Sequence, residues 1–163
     1  MATQSREWQR AGFRVLNRVM VLMWRLGMGR MINSWPQGTG RIMVLGHTGR
    51  VSRLRHYTPL NYHTQDGVVY CVAGFGSRAD WYRNVLAHPQ VEAWLPSGRL
   101  VGRAEDASGD PYALQHIRDV LIAGAFAAPL LAGIQPLTIS DEKLAEAARE
   151  YRLVRITPGD PAA

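Results

Sequence analysis

The sequence predicts a mainly β fold of the α+β class, in which an antiparallel sheet curls into a small barrel with helices outside. Three observations support this prediction. The chain has 163 residues, which is enough for one domain with a sizeable core. After about residue 40 the apolar pattern changes from the helical period to the alternation of strands. The strands that follow are joined by hairpin-length connections, which favour antiparallel pairing.

The first element is a helix predicted from Arg6 to about Ile32. Its arginines fall within an arc of about 120° at 100° per residue, and a set of large apolar residues lies opposite. The arginines are Arg6, Arg10, Arg14, Arg18 and Arg25, and the apolar residues are Trp8, Val15, Leu16, Val19, Leu22, Met23 and Leu26. Either the apolar face packs on the domain, or the helix lies on an anionic membrane. The apolar run is too short to span a bilayer, and no signal-peptide cleavage pattern follows it.

The connector Trp35–Gly40 contains three helix-breaking residues. We therefore expect residues 1–35 to form the helix and connector and residues 36–163 to form the barrel domain. Strands are predicted at Arg41–His47, Arg55–Tyr62, Val68–Ala73, Gln90–Leu95, Arg99–Asp106 and Tyr151–Thr157. Further helices are predicted at Arg78–His88, from Asp110 to about Ala123, and after Ser140, whose hydroxyl suits an N-cap. The apolar segment Ala125–Leu137 is interrupted by prolines and a glycine, so it is predicted to be a loop or lid.

Positive charge is concentrated in the first third of the chain. Residues 1–56 contain ten arginines and the single acid Glu7, whereas the remainder contains nine cations and twelve acids. An anionic membrane surface or a polyanionic small molecule is therefore expected to meet this region. Nucleic acid is not expected, because no binding motif accompanies the charge. The lone Cys71 lies in an apolar run and indicates a core residue of a cytoplasmic protein.

A cationic loop, residues 49–56, lies between the first two predicted strands. It carries three guanidiniums, the Ser52 hydroxyl and the His56 imidazole. Arginine forks bind phosphate and carboxylate oxygens bidentately, so several in one loop indicate a multiply charged ligand. Taken alone, the loop also fits a solvated basic turn. It is not a Walker loop, because the spacing differs and no lysine follows.

A glycine turn, Gly74-Phe75-Gly76-Ser77, follows the third predicted strand. Two glycines flanking an aromatic residue permit unusual φ values and close approach of a flat ring to the backbone. The Ser77 hydroxyl and nearby backbone N–H groups can then hydrogen-bond ring heteroatoms. On the following helix, Trp81 is most simply a core residue, and Asn84 either braces the turn or contacts the ligand. No metal-ligand pattern or nucleophile elbow is found.

Five segments carry a family resemblance. They are Thr48-Gly49-Arg50-x-Ser52, Thr58-Pro59-Leu60-Asn61-Tyr62, Ala73-Gly74-Phe75-Gly76, Trp81-Tyr82-Arg83-Asn84 and Pro89-x-Val91. Together they resemble the deazaflavin (coenzyme F420)-dependent nitroreductase family. The resemblance implies a split β-barrel similar to that of FMN-binding oxidases. It also implies an enzyme that transfers a hydride from reduced F420, a 5-deazaflavin with a phosphodiester and an oligoglutamate tail. The acceptor would be a quinone, a nitroaromatic or another electron-poor compound.

The resemblance further implies which residues hold the cofactor. On the tail side these are Arg50, Ser52, Arg55 and His56. On the ring side they are Thr58, Pro59, Gly74, Phe75, Gly76, Ser77, Trp81 and Asn84. The loop departs from the family pattern in several places: Arg53 and Arg55 stand where glycine and proline are frequent, and Val51 and His56 stand where a cation is usual.

Other classes stay open at this point. The same barrel can hold FMN, as an oxidase or a flavin-binding protein. Alternatively, the chain is a non-catalytic lipid-binding or membrane-associated module in which residues 6–32 are the active element. The tyrosine-rich segment that encloses substrate in the family is absent, and Ala125–Leu137 offers only Phe126 as an aromatic. The expected location is the cytoplasm, either free or peripheral at the inner face of the membrane, and a homodimer is compatible with the sequence. No catalytic acid is assigned.

Overall fold

Strands and helices follow one another much as their sequence periods predict. This computed structural model describes residue 15 and residues 17–34, 41–124 and 137–159. The strands are β1 (Ile42–Thr48), β2 (Arg55–Gln65), β3 (Val68–Ala73), β4 (Gln90–Leu95), β5 (Gly98–Asp106) and β6 (Arg152–Pro158). The helices are α1 (residues 17–25), α2 (Gly29–Ser34), α3 (Asp80–Ala87), α4 (Ala113–Ala123) and α5 (Asp141–Ala148).

The strands form one closed barrel in the order β1-β2-β3-β6-β5-β4. Every neighbouring pair is antiparallel, including β1 with β4, where Leu45 lies opposite Ala93. Strand β6 returns from the end of the described chain to lie between β3 and β5, with Val154 opposite Cys71. The predicted antiparallel barrel is therefore confirmed. Asp66 and Gly67 connect β2 and β3 and both have positive φ values, which is typical of a two-residue hairpin turn.

Two apolar clusters stabilise the barrel and its helices. One fills the barrel and includes Met43 and Cys71. The other includes Ile117 of α4 and Leu144 of α5, which pack against residues of β3 and β6. Burial raises the pKa of the Cys71 thiol to about 12, so the group stays protonated and unreactive. The prediction that Cys71 is a core residue is confirmed.

The N-terminal helix differs from its prediction. The sequence predicts one unbroken helix, but residues 17–25 end at a turn, and α2 begins at Gly29. Gly27 adopts a φ of 81°, and the Met28 N–H donates to the Met23 carbonyl at 3.0 Å. A glycine in the left-handed region with this hydrogen bond is a common way to end a helix. The two helices are therefore separated by a turn in the left-handed region, which glycine adopts most readily.

Helix α1 contacts the rest of the protein through a side that neither alternative assigned. Asn17, Met20 and Trp24 are half-buried. The exposed apolar stripe, as we call it, comprises Val15, Val19, Leu22 and Leu26, which are 48–67% exposed. At 100° per residue these four side chains lie within an arc of about 60°. These four residues therefore do not pack on the domain as the first alternative expects, whereas Met23 of the same predicted face is half-buried; Arg18 and Arg25 beside the stripe are exposed as well.

Some predictions concern residues outside the described part of the chain. These are residues 1–14 of the first helix, the connector with the boundary between residues 35 and 36, and most of the predicted lid. Among the remaining predictions, Ser140 is confirmed as an N-cap, because its hydroxyl accepts a hydrogen bond from the Lys143 N–H. The helix predicted from Arg78 begins instead at Asp80, since Gly76–Arg78 forms a 3₁₀ turn. Within the described residues, no helix has the length and apolarity needed to cross a membrane.

Candidate active site

A cavity of about 930 Å³ lies between the barrel wall and helices α1, α3 and α4. Strand β2 lines it from His56 to Asn61, and the cationic loop and the glycine turn both reach it. Its volume is at the upper end of the range for small-molecule and cofactor sites. Two motifs that are separate in the sequence therefore face one space.

Most of the residues predicted to hold a cofactor line this cavity. They are Arg50, Ser52, His56, Thr58, Pro59, Gly74, Phe75, Trp81 and Asn84. The other three predicted residues, Arg55, Gly76 and Ser77, are not among its lining residues. The fold thus brings together most of the tail side and most of the ring side of the prediction.

Arg50 is attached to helix α3. Its backbone N–H donates to Asn84 Oδ1 at 3.0 Å, and its guanidinium Nη1 donates to the same oxygen at 3.1 Å. Nη1 also pairs with Asp80 at 3.1 Å, but that carboxylate is 81% exposed, so the ion pair contributes little to stability. Among the described residues, Arg50 Nε and Nη2 have no acceptor, which leaves them available to an anion at the cavity.

The cationic loop is a tight turn. The Gly49 N–H donates to the Leu54 carbonyl at 2.8 Å, and the Arg53 N–H donates to the Gly49 carbonyl at 2.9 Å. Inside it, Ser52 Oγ lies 3.2 Å from His56 Nε2, and a side chain at position 49 would clash with both groups. Arg53 adopts a φ of 57°, a conformation that favours glycine. This conformation gives a physical reason for the frequent glycine at that position in the family.

Arg55 belongs to the loop by sequence but to strand β2 by structure. It lies opposite Thr48 of β1, and its guanidinium passes close to Gly46, which has no side chain to block it. There it donates to the Glu92 carboxylate of β4 at 3.5 Å. Its charge is therefore engaged across three strands and away from the cavity lining. A count of cations along the loop cannot distinguish this arginine from Arg50.

The two glycines of the turn have opposite surroundings. A Cβ atom added at Gly74 would meet no heavy atom within 4 Å, so bare backbone faces open space at the cavity. Gly76 is buried with a φ of 57°, and a Cβ atom there would clash with the Glu150 carbonyl. Phe75, between them, is 72% exposed at the cavity. Gly76 therefore allows the turn to pack against the segment before β6, and Gly74 leaves room for a ligand.

Trp81 joins the cavity to the core. Its half-buried side chain packs against the barrel cluster and also lines the cavity. Its ring meets that of Tyr82 edge-on, with centroids 6.4 Å apart. The core interpretation of this residue is therefore compatible with a place in the cavity wall.

His47 also lines the cavity, although it belongs to no motif in the sequence. It is 2% exposed, its ring stacks on that of His56, and it hydrogen-bonds Thr58 Oγ1 at 3.0 Å and Asn84 Nδ2 at 3.3 Å. Burial, together with nearby His56 and Arg55, lowers the pKa of His47 to about 4, so the ring is neutral at neutral pH. A single histidine in a strand gives no local signal, because its partners lie on other elements.

Further cavity residues come from elements without any motif. They are Asn17 and Met20 of α1, Val120 and Leu121 of α4, and Tyr151 before β6. Their mainly apolar surfaces suit a flat ring system. With the free guanidinium donors of Arg50 and the open backbone at Gly74, the cavity fits an anionic cofactor that carries an aromatic ring.

A family comparison agrees with this chemistry. The model of the F420H(2)-dependent quinone reductases matches residues 16–126. The chain belongs to this family. It is therefore an F420-dependent oxidoreductase that uses reduced F420 and acts on a small-molecule acceptor, and the predicted resemblance is confirmed. The matched range contains the cationic loop, the glycine turn and helices α3 and α4. No curated protein matches the chain.

Solved structures share the fold at low sequence identity. A protein of unknown function from Agrobacterium tumefaciens is 22% identical with a TM-score of 0.51; the match covers 75% of this chain and half of that one. An FAD-binding protein from Mesorhizobium loti is 14% identical with a TM-score of 0.51, over 74% of this chain and 82% of that one. An F420-H2 dependent reductase is 19% identical with a TM-score of 0.51, over 75% and 98% respectively. These likenesses support the predicted split barrel.

Proposed function

We propose that the cavity binds reduced F420 with its anionic tail at the cationic loop and its ring against the glycine turn. We propose further that the enzyme reduces a quinone or another flat, electron-poor compound such as a nitroaromatic. The observation that carries this proposal is that Arg50 and Gly74, taken from two separate motifs, line the same cavity. Reduced F420 would supply the hydride, and the protein would bind, orient and shield it.

The tail side of the proposed site is a set of hydrogen-bond donors. Arg50 presents two guanidinium nitrogens that have no acceptor among the described residues, and Ser52 and His56 lie beside it at the cavity. A phosphodiester or glutamate carboxylate accepts such bonds and gains from their charge. Because part of this attraction acts between exposed charges, F420 affinity should fall as salt is added.

The ring side combines an open backbone with apolar walls. Gly74 leaves space for a flat ring to approach the main chain, and Pro59 and Trp81 line the same cavity. Met20 of α1 and Leu121 of α4 line the cavity as well and add apolar surface to it. An apolar quinone or aromatic acceptor would be favoured in the space left beside the ring, because its transfer from water to these walls is favourable.

Parallel titrations of the purified protein with F420 and with FMN test this assignment. We expect saturable F420 binding that weakens with salt, and FMN binding at least tenfold weaker. Turnover of reduced F420 should then be measured with a water-soluble naphthoquinone and with a nitroaromatic. Tighter binding of FMN, or FMN that copurifies with the protein, would establish the FMN-binding alternative instead. Binding of F420 without turnover of either acceptor would refute the proposed acceptor class alone.

We also propose peripheral attachment to an anionic membrane through the exposed apolar stripe. The observation that favours it is the exposure of four large apolar side chains on one side of α1 and of the residues flanking it, with the exposed Arg18 and Arg25 beside them. Such a helix can insert its apolar side between lipids while its arginines meet anionic headgroups. Attachment would place the cavity, which α1 also lines, close to lipid-soluble acceptors.

Co-sedimentation with vesicles tests this attachment. The triple variant Val19→Ser, Leu22→Ser, Leu26→Ser should lose binding to anionic vesicles and keep F420 binding. Val101→Ser is the matched control, since Val101 is 64% exposed on β5 and lies outside the stripe. Equal sedimentation of the wild type with neutral and anionic vesicles would refute the proposed attraction between the arginines and anionic headgroups. If the wild type is a dimer that does not bind vesicles and the triple variant is a monomer, a second copy of the chain covers the stripe.

A further inference from the structure

A chain of hydrogen bonds runs from the cationic loop to strand β2 and passes through the buried His47. It begins at Asn84, whose Oδ1 accepts from both the backbone N–H and the Nη1 of Arg50. Two donors on one oxygen fix the orientation of the amide, so the Asn84 Nδ2 group points the other way, toward His47. If an anion drew the guanidinium away, the backbone N–H at 3.0 Å would still hold this orientation.

The orientation of Asn84 decides the tautomer of His47. Asn84 Nδ2 lies 3.3 Å from His47 Nδ1, and an amide nitrogen only donates, so Nδ1 must be the acceptor and carry no proton. The proton of the neutral imidazole is then on Nε2, which lies 3.0 Å from Thr58 Oγ1. The low pKa of His47 agrees with a neutral ring. The imidazole therefore donates to the Thr58 hydroxyl.

This donation determines what the Thr58 hydroxyl can offer. A hydroxyl has one proton, and Thr58 Oγ1 already accepts from His47. Among the described residues no other hydrogen bond to Thr58 Oγ1 is found, and Thr58 lines the cavity. Its own proton is therefore left for a group in the cavity.

We propose that this chain holds the Thr58 hydroxyl as a hydrogen-bond donor to an acceptor atom of the deazaflavin ring, a carbonyl oxygen or an unprotonated nitrogen. His47 is then a positioning residue that acts through Thr58. The inference rests on the proposed function, because it needs the ring in this cavity. It also connects the two sides of the site, since Asn84 accepts through Oδ1 from the arginine proposed to meet the tail and donates through Nδ2 to His47.

The tautomer can be tested in the protein without ligand. Nitrogen-15 NMR of the imidazole should show His47 with a protonated Nε2 and an unprotonated Nδ1. In the Asn84→Asp variant the carboxylate can only accept, so the proton should move to Nδ1. A wild-type His47 protonated on Nδ1 would overturn the inference, whatever the protein binds.

The effect on binding is tested by a double-mutant cycle with F420 as the probe. Thr58→Val should weaken F420 binding by about three- to tenfold, the range expected for one net hydrogen bond, whereas Thr58→Ser should stay within about twofold. With His47→Leu, the further change Thr58→Val should cost less than about twofold, because the hydroxyl is no longer held. The amide of a glutamine both donates and accepts. In the His47→Gln background, Thr58→Val should therefore weaken F420 binding as much as it does in the wild type.

The outcomes separate the inference from the function on which it rests. A folded wild type that does not bind F420 contradicts the proposed function. A wild type that binds, with a folded Thr58→Val variant of unchanged affinity, contradicts only the inference. Equal costs of Thr58→Val in the wild type and in the His47→Leu background would show that His47 does not act through Thr58. Melting temperatures confirm folding, and where His47→Leu does not fold, the comparison of Thr58→Val with Thr58→Ser and the NMR result still decide.

Discussion

The cationic loop and the glycine turn reach the same cavity, but they differ in what they contribute to it. In the loop, side chains provide the contacts, and they are already attached to neighbours, as Arg50 is to Asn84. In the turn, the absence of a side chain at Gly74 provides the space. Each region also contains a second residue of the same type with a structural role, since Arg55 pairs with Glu92 and Gly76 packs on Glu150. Residue type therefore indicates which contacts a segment can make. The neighbours of each residue in the fold decide which of the two arginines, and which of the two glycines, lines the cavity.

The strongest test of this contrast compares the two glycines. Gly76→Val should lower the free energy of unfolding by about 3 kcal/mol, because a β-branched residue is strained at a φ of 57° and its side chain would meet the Glu150 carbonyl. Gly74→Val should change stability by less than about 1 kcal/mol and weaken F420 binding at least tenfold. Urea unfolding and F420 titration of both variants measure this. A stable Gly76→Val protein that no longer binds F420 would reverse the assignment.

The next test concerns His47, which connects the two regions through Asn84. Its folded-state pKa of about 4 lies below the unfolded value of 6.5 because of burial, His56 and Arg55. Protonation therefore favours the unfolded chain: the stability is present above pH 6.5 and is lost as the pH falls toward 4. Between about pH 7.5 and pH 5 the free energy of unfolding of the wild type should fall by about 2 kcal/mol more than that of the His47→Gln variant. Identical pH profiles of the two proteins would show that His47 is not buried in its neutral form.

The two arginines give a test on the side of the loop. Arg50→Ala should weaken F420 binding about tenfold or more, as the loss of a charge-assisted hydrogen bond implies. Arg55→Ala removes the same charge from the same loop but leaves the cavity lining intact, so its affinity should stay within about twofold. Titrations at two salt concentrations measure both effects. If Arg55→Ala weakened binding as much as Arg50→Ala, net charge rather than placement would govern the site.

Local pattern predicted the barrel well, because strand alternation, hairpin turns and the Ser140 cap are properties of neighbouring residues. The same level of information fails where partners are distant in sequence. His47 is recognised only by its contacts with Thr58 and Asn84, and Arg55 is separated from Arg50 only by the register of β1 with β2. The break between the two helices could have been expected from Gly27, because this glycine follows the last of the regularly spaced arginines. The continuing apolar pattern beyond it concealed this signal.

The smallest expected effect concerns Arg53, the remaining arginine of the loop. It has a left-handed φ of 57° and is not among the residues that line the cavity. Arg53→Gly removes the strain of a Cβ atom in this region but makes the unfolded chain more flexible, so a net gain of about 0.5 kcal/mol is expected. Arg53→Ala is the matched control, because it removes the charge and keeps the strain. Urea unfolding should therefore rank glycine above alanine, while both variants bind F420 within about twofold of the wild type. If both variants bound F420 more weakly to the same extent, Arg53 would contact the tail after all. The contrast between Arg50, which lines the cavity, and the other arginines of the loop would then not hold.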